Sequence, residues 1–123
     1  MNDTYIYNAN CYNIIDGDTI EIGIDLGFDV YTFQRVRLAN VDAVDLGHPN
    51  YDKATEFVSS RIKDRQIKIH TTKDKVLGEY LVTVWYTNEN DEAISLNDEM
   101  LDTENWSLIK EDGNTNLIND NNE

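Results

Sequence analysis

Two aspartates flank a glycine in the stretch NIIDGDTIEI, residues 13–22. Carboxylate oxygens are the ligands that hard cations such as calcium prefer, so Asp16 and Asp18 are candidates for the edge of a metal site. The Asp16-Gly17 pair is also a strong hairpin signal, because glycine tolerates a positive φ between two strands. The stretch therefore predicts either an acidic turn or part of a cation site, depending on what lies near it.

Two later segments carry polar residues that a small barrel would bring to this turn. The first, RVRLANVDAVD at 35–45, contains Arg37 and, five residues later, Asp42. The second, KVLGEYL at 75–81, contains Glu79 directly after a glycine. Whether these residues meet depends on the elements that carry them.

Hydrophobic alternation predicts that most of the chain forms β-strands. Apolar residues recur with a period of two in 5–24, which the Asp16-Gly17 turn divides into two strands. The same pattern recurs in 30–41, 66–72 and 79–87, with many β-branched and aromatic residues. The sequence thus predicts five strands.

Helical periodicity predicts two helices among these strands. The segment 51–65 has an apolar stripe at helical spacing, formed by Tyr51, Ala54, Phe57, Val58 and Ile62. Ser95, three residues before Asp98, predicts the capped start of a short helix, and KDKVLG at 73–78 predicts a hairpin loop. The order of elements predicts a mainly-β fold, a five-stranded OB-fold-type barrel with a helix between strands 3 and 4 and a short C-terminal helix.

The motifs and the order of elements resemble the staphylococcal-nuclease-like (thermonuclease-like) family over residues 9–109. The family's D-G-D-T motif is intact at 16–19. Arg37-Leu38, with Asp42 five residues after the arginine, keeps the spacing of the family's third strand. The resemblance implies calcium-dependent hydrolysis of phosphodiester bonds in DNA or RNA.

By this resemblance, calcium would be held by Asp18, Asp42 and the backbone carbonyl of Ala43. The ion would polarise the phosphate and activate water. Arg37 would clamp the developing negative charge, and Asp45 would handle the attacking water. Asp45 and Arg37 are thus the catalytic candidates.

Three departures from the family pattern predict impaired catalysis. Asp45 stands in place of glutamate, which shortens the reach by about 1.5 Å and can cost roughly 10²-fold in rate. Ala43 and Val44 replace threonine and proline. Glu79 replaces the second catalytic arginine, and the loss of one donor to a developing oxyanion already costs about 2.7–4 kcal/mol. Arg35, two residues before Arg37, shares its face of the strand and is a candidate for partial compensation.

With this damaged site, Asp18 and Asp42 have two interpretations that the sequence leaves open. They either bind Ca2+ weakly or form an ion pair with Arg37 as a vestige of the ancestral site.

The charge of the chain disfavours direct nucleic-acid binding. The chain contains ten Lys and Arg residues and 24 Asp and Glu residues, which give a net charge of −14. Affinity for nucleic acid, in contrast, comes from cations that neutralise phosphates. The segment 76–109 lacks Lys and Arg and contains eight acids, namely Glu79, Glu89, Asp91, Glu92, Asp98, Glu99, Asp102 and Glu104. These acids form either an ordinary solvated surface or a surface that resembles a phosphate backbone and binds a protein with a basic groove.

Two functions follow from these observations. The first is a catalytically impaired domain that acts as an acidic protein-binding module or inhibitor of a nucleic-acid-handling or defence protein, as would suit a bacteriophage product. The second is a weak calcium-dependent nuclease. Glu79 distinguishes them, because an acidic binding face accepts it and a phosphate site does not.

The remaining features bound the class of protein. The chain has no apolar run of 18 residues, no visible secretory signal and one cysteine, Cys11, which together predict a cytoplasmic protein without a membrane span. We expect one domain at 1–109 and an acidic, asparagine-rich mobile tail at 110–123. His48 and His70 lack partners at zinc-ligand spacing.

The aromatic residues of the fifth predicted strand also have two interpretations. Tyr80, Trp85 and Tyr86 are either a stacking platform for bases, as OB-folds use, or residues that alternate between the barrel interior and its surface.

Overall fold

The computed structural model describes residues 5–43 and 47–102. Its elements, in chain order, are β1 (Ile6–Asp16), β2 (Thr19–Asp25), β3 (Tyr31–Leu38), α1 (Tyr51–Ile62), β4 (Arg65–Val76), β5 (Glu79–Thr87), β6 (Ala93–Ser95) and α2 (Leu96–Asp102). No helix among these residues is long and apolar enough to cross a membrane. The predicted tail at 110–123 and the domain boundary before it lie outside the described residues.

The strands close into a barrel of the predicted kind. They are hydrogen-bonded in the order β3-β2-β1-β4-β5-β6, and β3 also pairs with β5. This closing contact is parallel and short, joining Arg37 to Leu81 and Leu38 to Val82. The five-stranded OB-fold-type barrel with α1 between β3 and β4 is therefore confirmed, and β6 extends the sheet beyond β5.

Alternation along the strands fills the barrel interior. Every second residue of β2 points inward, and Ile20 and Ile22 are completely buried. Burial of each such side chain contributes roughly 1.5–3 kcal/mol. The predicted apolar stripe of α1 covers one end of the barrel, where Ala54, Val58 and Ile62 are buried. The other end, where the β2–β3 and β4–β5 hairpins lie, has no helix across it in the described part of the chain.

A buried asparagine fixes α2 to the barrel. Asn97 as a residue is 4% exposed, and its side-chain Oδ1 accepts the backbone N–H of Val84 at 2.9 Å. Its Nδ2 donates to the carbonyls of Ala39 and Val82 at 2.9 and 3.0 Å. The cap predicted for this helix is confirmed, because the backbone N–H of Asp98 donates to Ser95 Oγ at 3.2 Å.

The β4–β5 connection differs from the predicted hairpin loop at 73–78. β4 continues to Val76 through a register irregularity between Thr71 and Lys75. The turn itself is Leu77 and Gly78, both with positive φ, 54° and 83°, as a tight two-residue hairpin requires. Cross-strand pairing thus overrides the weak strand propensity of the charged residues in this segment.

Candidate nuclease-like site

The β1–β2 hairpin holds its position by close packing at Gly17. A Cβ built on this residue would lie 2.8 Å from Ala43 Cβ and 2.9 Å from Ala54 Cβ. Gly17 is not among the residues with positive φ, so the sequence-based reason for this glycine is wrong. Its lack of a side chain lets the hairpin approach α1 and the loop after β3.

This packing buries Asp18, a residue that is 6% exposed. Its Oδ1 accepts the Thr19 hydroxyl at 2.8 Å. Its Oδ2 accepts Arg37 Nη2 at 3.3 Å and the backbone N–H of Ala43 at 3.2 Å. The D-G-D-T turn, the end of β3 and the following loop therefore meet at one carboxylate.

A second carboxyl group lies against the first. The side chain of Asp16 contacts that of Asp18, and Asp16 Oδ1 accepts the backbone N–H of Asp18 at 3.1 Å. The pKa of Asp18 is raised to about 6, mainly by burial and then by the hydrogen bond and charge of Asp16, which together outweigh the lowering by Thr19 and Arg37. Asp18 can thus hold a proton at mildly acid pH.

Both arginines of β3 are engaged by carboxylates. Arg37 pairs with Asp18, and Arg35 Nη2 lies 3.0 Å from Oε2 of Glu21 on the neighbouring strand. Asn13 and Arg35 both donate to Glu21, which lowers the pKa of this carboxyl. Arg35, the candidate for partial compensation, is therefore held by its own cross-strand partner.

The register of β3 and β5 gives the position of Glu79. Arg37 is beside Leu81 in the parallel pair, and residues two apart on a strand share a face. Glu79, two residues before Leu81, therefore lies on the face that carries Arg37. The usual spacings between strands and along a strand place its Cα about 8 Å from that of Arg37. It is half-buried at the start of β5.

The predicted calcium ligands are only partly brought together. Asp18 and Ala43 are in contact, but through the backbone N–H of Ala43. Asp42 precedes Ala43 and is exposed, with an interaction of its own. Asp45, the predicted water-handling residue, lies outside the described residues.

The oxygen atoms that the described residues offer do not fit a calcium ion without rearrangement. An ionised carboxylate has about four lone-pair sites, and hydrogen bonds from three groups occupy all but about one of those of Asp18. Calcium takes six to eight oxygen ligands. Within residues 5–43 and 47–102, no three histidine, cysteine, aspartate or glutamate side chains are grouped to hold a metal ion.

The predicted acidic binding surface divides into three places. Glu89, Asp91 and Glu92 are exposed on the β5–β6 turn, hereafter the acidic turn. The acids of α2 lie on the following helix, where Asp98 and Asp102 are exposed and Glu99 accepts the Tyr86 hydroxyl at 2.6 Å. Glu79 is at the opposite end of β5, about 26 Å from Thr87 at the usual rise per residue, and is separate from both.

The acidic turn is held in a defined shape by one asparagine. Asn88 Oδ1 accepts the backbone N–H groups of Asn90 and Glu92, both at 2.9 Å. Asn88 Nδ2 also donates to Glu92 Oε1 at 2.8 Å. Three carboxylates are thus presented on a short, internally hydrogen-bonded turn.

The aromatic residues of β5 do not share one face. Tyr80 lines the open end of the barrel, Tyr86 is 7% exposed in the core, and Trp85 points to the other side of the sheet. The alternation of this strand therefore fits its role in the barrel rather than a platform of these three rings.

Cys11 and the two histidines lie in a strand, a loop and a second strand, respectively. Cys11 is completely buried in β1, and burial raises the pKa of its thiol to about 11. His48 lies in a loop and accepts the backbone N–H of Asn50, whereas His70 is on β4.

One neighbour of the carboxyl pair was not predicted as a site residue. Tyr51 begins α1, and burial together with the charges of Asp16, Asp52 and Asp18 raises the pKa of its hydroxyl. Helical spacing assigned Tyr51 to the core face and carried no signal of this proximity.

Comparisons with known proteins add no relative: no protein-family model matches the chain, and no curated protein matches it. The likeness to the staphylococcal-nuclease-like family therefore rests on the D-G-D-T turn, the Arg37–Asp42 spacing and the order of elements.

Proposed function

We propose that this chain is a staphylococcal-nuclease-like domain that has lost efficient cleavage and acts as an acidic protein-binding module. Its partner would be a nucleic-acid-handling or defence protein with a basic groove. The observation that carries the proposal is the engagement of both β3 arginines by carboxylates, Arg37 by Asp18 and Arg35 by Glu21.

A phosphate group would have to compete with these carboxylates. Clamping a phosphoryl group requires guanidinium donors aimed at its oxygens. Here each arginine already has a carboxylate partner, and Glu79 adds a negative charge to the face of Arg37. Repulsion from a chain of net charge −14 acts in the same direction.

A protein with a basic groove would be attracted by the same negative charge that repels a phosphate group. The acidic turn places three carboxylates on a turn that Asn88 holds in one shape, so little conformational entropy is lost when they bind cations. Charge complementarity of this kind accelerates association and weakens at higher salt, with a screening length of about 8 Å at physiological ionic strength.

The binding proposal is tested by affinity capture from cytosol, with elution by rising salt. The matched control is the variant Glu89→Gln/Asp91→Asn/Glu92→Gln, which keeps the size of each side chain and removes three charges. We expect a protein that the wild type retains and releases as salt rises, and that the variant does not retain. Recovery of the same proteins at the same salt from both would contradict the proposal.

The alternative function is a weak calcium-dependent nuclease. The intact D-G-D-T turn and the retained spacing of Arg37 and Asp42 favour it. On this alternative, Asp18 and Arg37 would bind the ion and the phosphate only after their own ion pair had opened. A direct cleavage assay separates the two functions, as described in the Discussion.

A further inference from the structure

One edge of β3 is open among the described strands, and it is called the open edge below. The strand pairs with β2 from Tyr31 to Arg37, but on its other side β5 meets only Arg37 and Leu38. From Tyr31 to Val36, no described strand pairs with this second edge. Backbone N–H and C=O groups on such an edge are a ready template for another extended chain.

Residues 31–36 themselves carry few of the features that usually protect such an edge. Natural edges are blunted by charged side chains, lysine above all, by prolines or bulges, or by a helix or loop that covers them. The sequence YTFQRV at 31–36 contains no lysine or proline, and no bulge interrupts the register with β2. Its one charged residue, Arg35, is held by Glu21.

Both faces of this edge offer contacts to an added strand. On the inner side, a cavity of about 390 Å3 at the open end of the barrel is lined by Thr32 and Gln34 of β3 and by Tyr80 of β5. On the outer side, Tyr31 and Phe33 are 51% and 67% exposed. Alternate side chains of an extended peptide would therefore enter the cavity and cover the outer rings.

The two hairpins beside the cavity expose apolar side chains at their tips. Phe28 is 99% exposed and Leu77 is 91% exposed, with φ of 57° and 54°. Bulky residues rarely adopt this conformation, and backbone strain of this kind clusters at binding and switch sites.

We propose that the open edge of β3 and the adjoining cavity bind an extended segment of another protein by β-strand addition. The segment would carry apolar side chains at alternate positions and lysine or arginine between them. Main-chain hydrogen bonds to β3 would supply affinity, and the cavity would select the inward side chains.

Charge decides between a foreign segment and a second copy of this chain. The two hairpin segments at this end, 25–31 and 73–79, contain four acids and two lysines. Two copies of a −14 chain repel each other, whereas a basic segment is attracted. The site lies at the opposite end of β5 from the acidic turn, so it extends the proposed protein-binding function without depending on that turn.

The test uses fluorescent synthetic peptides of the length of β3, eight residues, with valine or phenylalanine alternating with lysine. Two further sets are N-methylated on one or the other series of alternate amides, because only one series faces β3 in an added strand. We expect binding with slowed amide hydrogen exchange within 31–36. Methylation of one series should weaken binding about tenfold or more, while methylation of the other has little effect.

Two peptide results would overturn this inference: amide hydrogen exchange within 31–36 that is not slowed at millimolar peptide, or equal effects of the two methylated series. It would also be overturned if 31–36 were protected without peptide and ultracentrifugation showed that the chain self-associates. The variant Glu89→Gln/Asp91→Asn/Glu92→Gln should bind the peptides as the wild type does. Loss of peptide binding in this variant would assign the peptides to the acidic turn and also overturn the inference. A failure of the acidic-turn proposal is therefore distinguishable from a failure of this one.

Discussion

Arg37 Nη2 lies 3.3 Å from Oδ2 of Asp18, so the arginine that resembles a phosphate clamp is paired with the aspartate that resembles a metal ligand. The side chains of this pair are 25% and 8% exposed. Because both charges are largely removed from solvent, each partner lowers the cost of burying the other. A ligand for either one must offset the loss of this contact.

Substitution of Gly17 by alanine should destabilise the fold. The new Cβ would lie within 3.0 Å of the Cβ atoms of Ala43 and Ala54, and overpacking of this kind typically costs about 1–3 kcal/mol. Urea unfolding measures the change in free energy of unfolding. Gly23→Ala is the control, because the three atoms nearest to its new Cβ all belong to the ring of Phe33, which is mostly exposed and can move. Equal decreases in the free energy of unfolding of the two variants would show that the β1–β2 hairpin does not depend on its close approach to Ala43 and Ala54.

The stability contributed by Asp18 should fall as pH rises. Its pKa is raised from 3.8 to about 6 in the folded protein, so the folded state binds the proton more tightly than the unfolded state. The contribution is therefore fully present below about pH 4 and is lost as pH rises through about 6, a change on the order of 3 kcal/mol.

Asp18→Asn removes this titration while keeping the shape of the side chain. In metal-free buffer, the wild type should gain stability relative to the variant between pH 7 and pH 4, with Asp52→Asn as the exposed control. A difference between wild type and Asp18→Asn that stays constant over this range, or changes in the opposite direction, would contradict the assignment.

Asn97→Ala should loosen α2 from the barrel. The change removes three hydrogen bonds and leaves the N–H of Val84 and the carbonyl of Ala39 without this partner, whereas the carbonyl of Val82 still accepts the N–H of Ala39. Each unsatisfied buried group costs about 1–3 kcal/mol. Hydrogen exchange should accelerate in 96–102 more than in β1. Unchanged exchange in α2 would mean that other contacts hold this helix.

Alternation and turn residues were sufficient to predict the barrel, but they gave less information about its ends. The isoleucines of β2 predicted both the strand and its buried face, because a period of two has one consistent solution when one face is buried. The extension of β4 to Val76 depends on pairing with Glu79, a tertiary contact that local propensity does not encode.

The candidate site was predicted to the same partial extent. The D-G-D-T spacing and Arg37 predicted the meeting at Asp18, since a hairpin and the third strand of this barrel must adjoin. The contact of Asp16 with Asp18, the engagement of Arg35 by Glu21 and the open edge of β3 depend on register and on where the closing pair stops. The sequence alone does not determine these features.

Replacement of Glu79 by arginine should strengthen phosphate binding on the face that carries Arg37. The change converts a repulsive charge into a bidentate donor, so any calcium-dependent cleavage of single-stranded DNA should be faster in Glu79→Arg than in Glu79→Gln. The glutamine variant separates the gain of a cation from the mere loss of an anion. Equal rates in the two variants would mean that position 79 does not face the phosphate.

The central claim, that the chain does not cleave nucleic acid efficiently, is tested most directly by incubating wild type and Asp18→Ala with single-stranded DNA and RNA at millimolar calcium. The account predicts that the wild type cleaves no faster than Asp18→Ala. Calcium-dependent cleavage by the wild type that Asp18→Ala abolishes would contradict it.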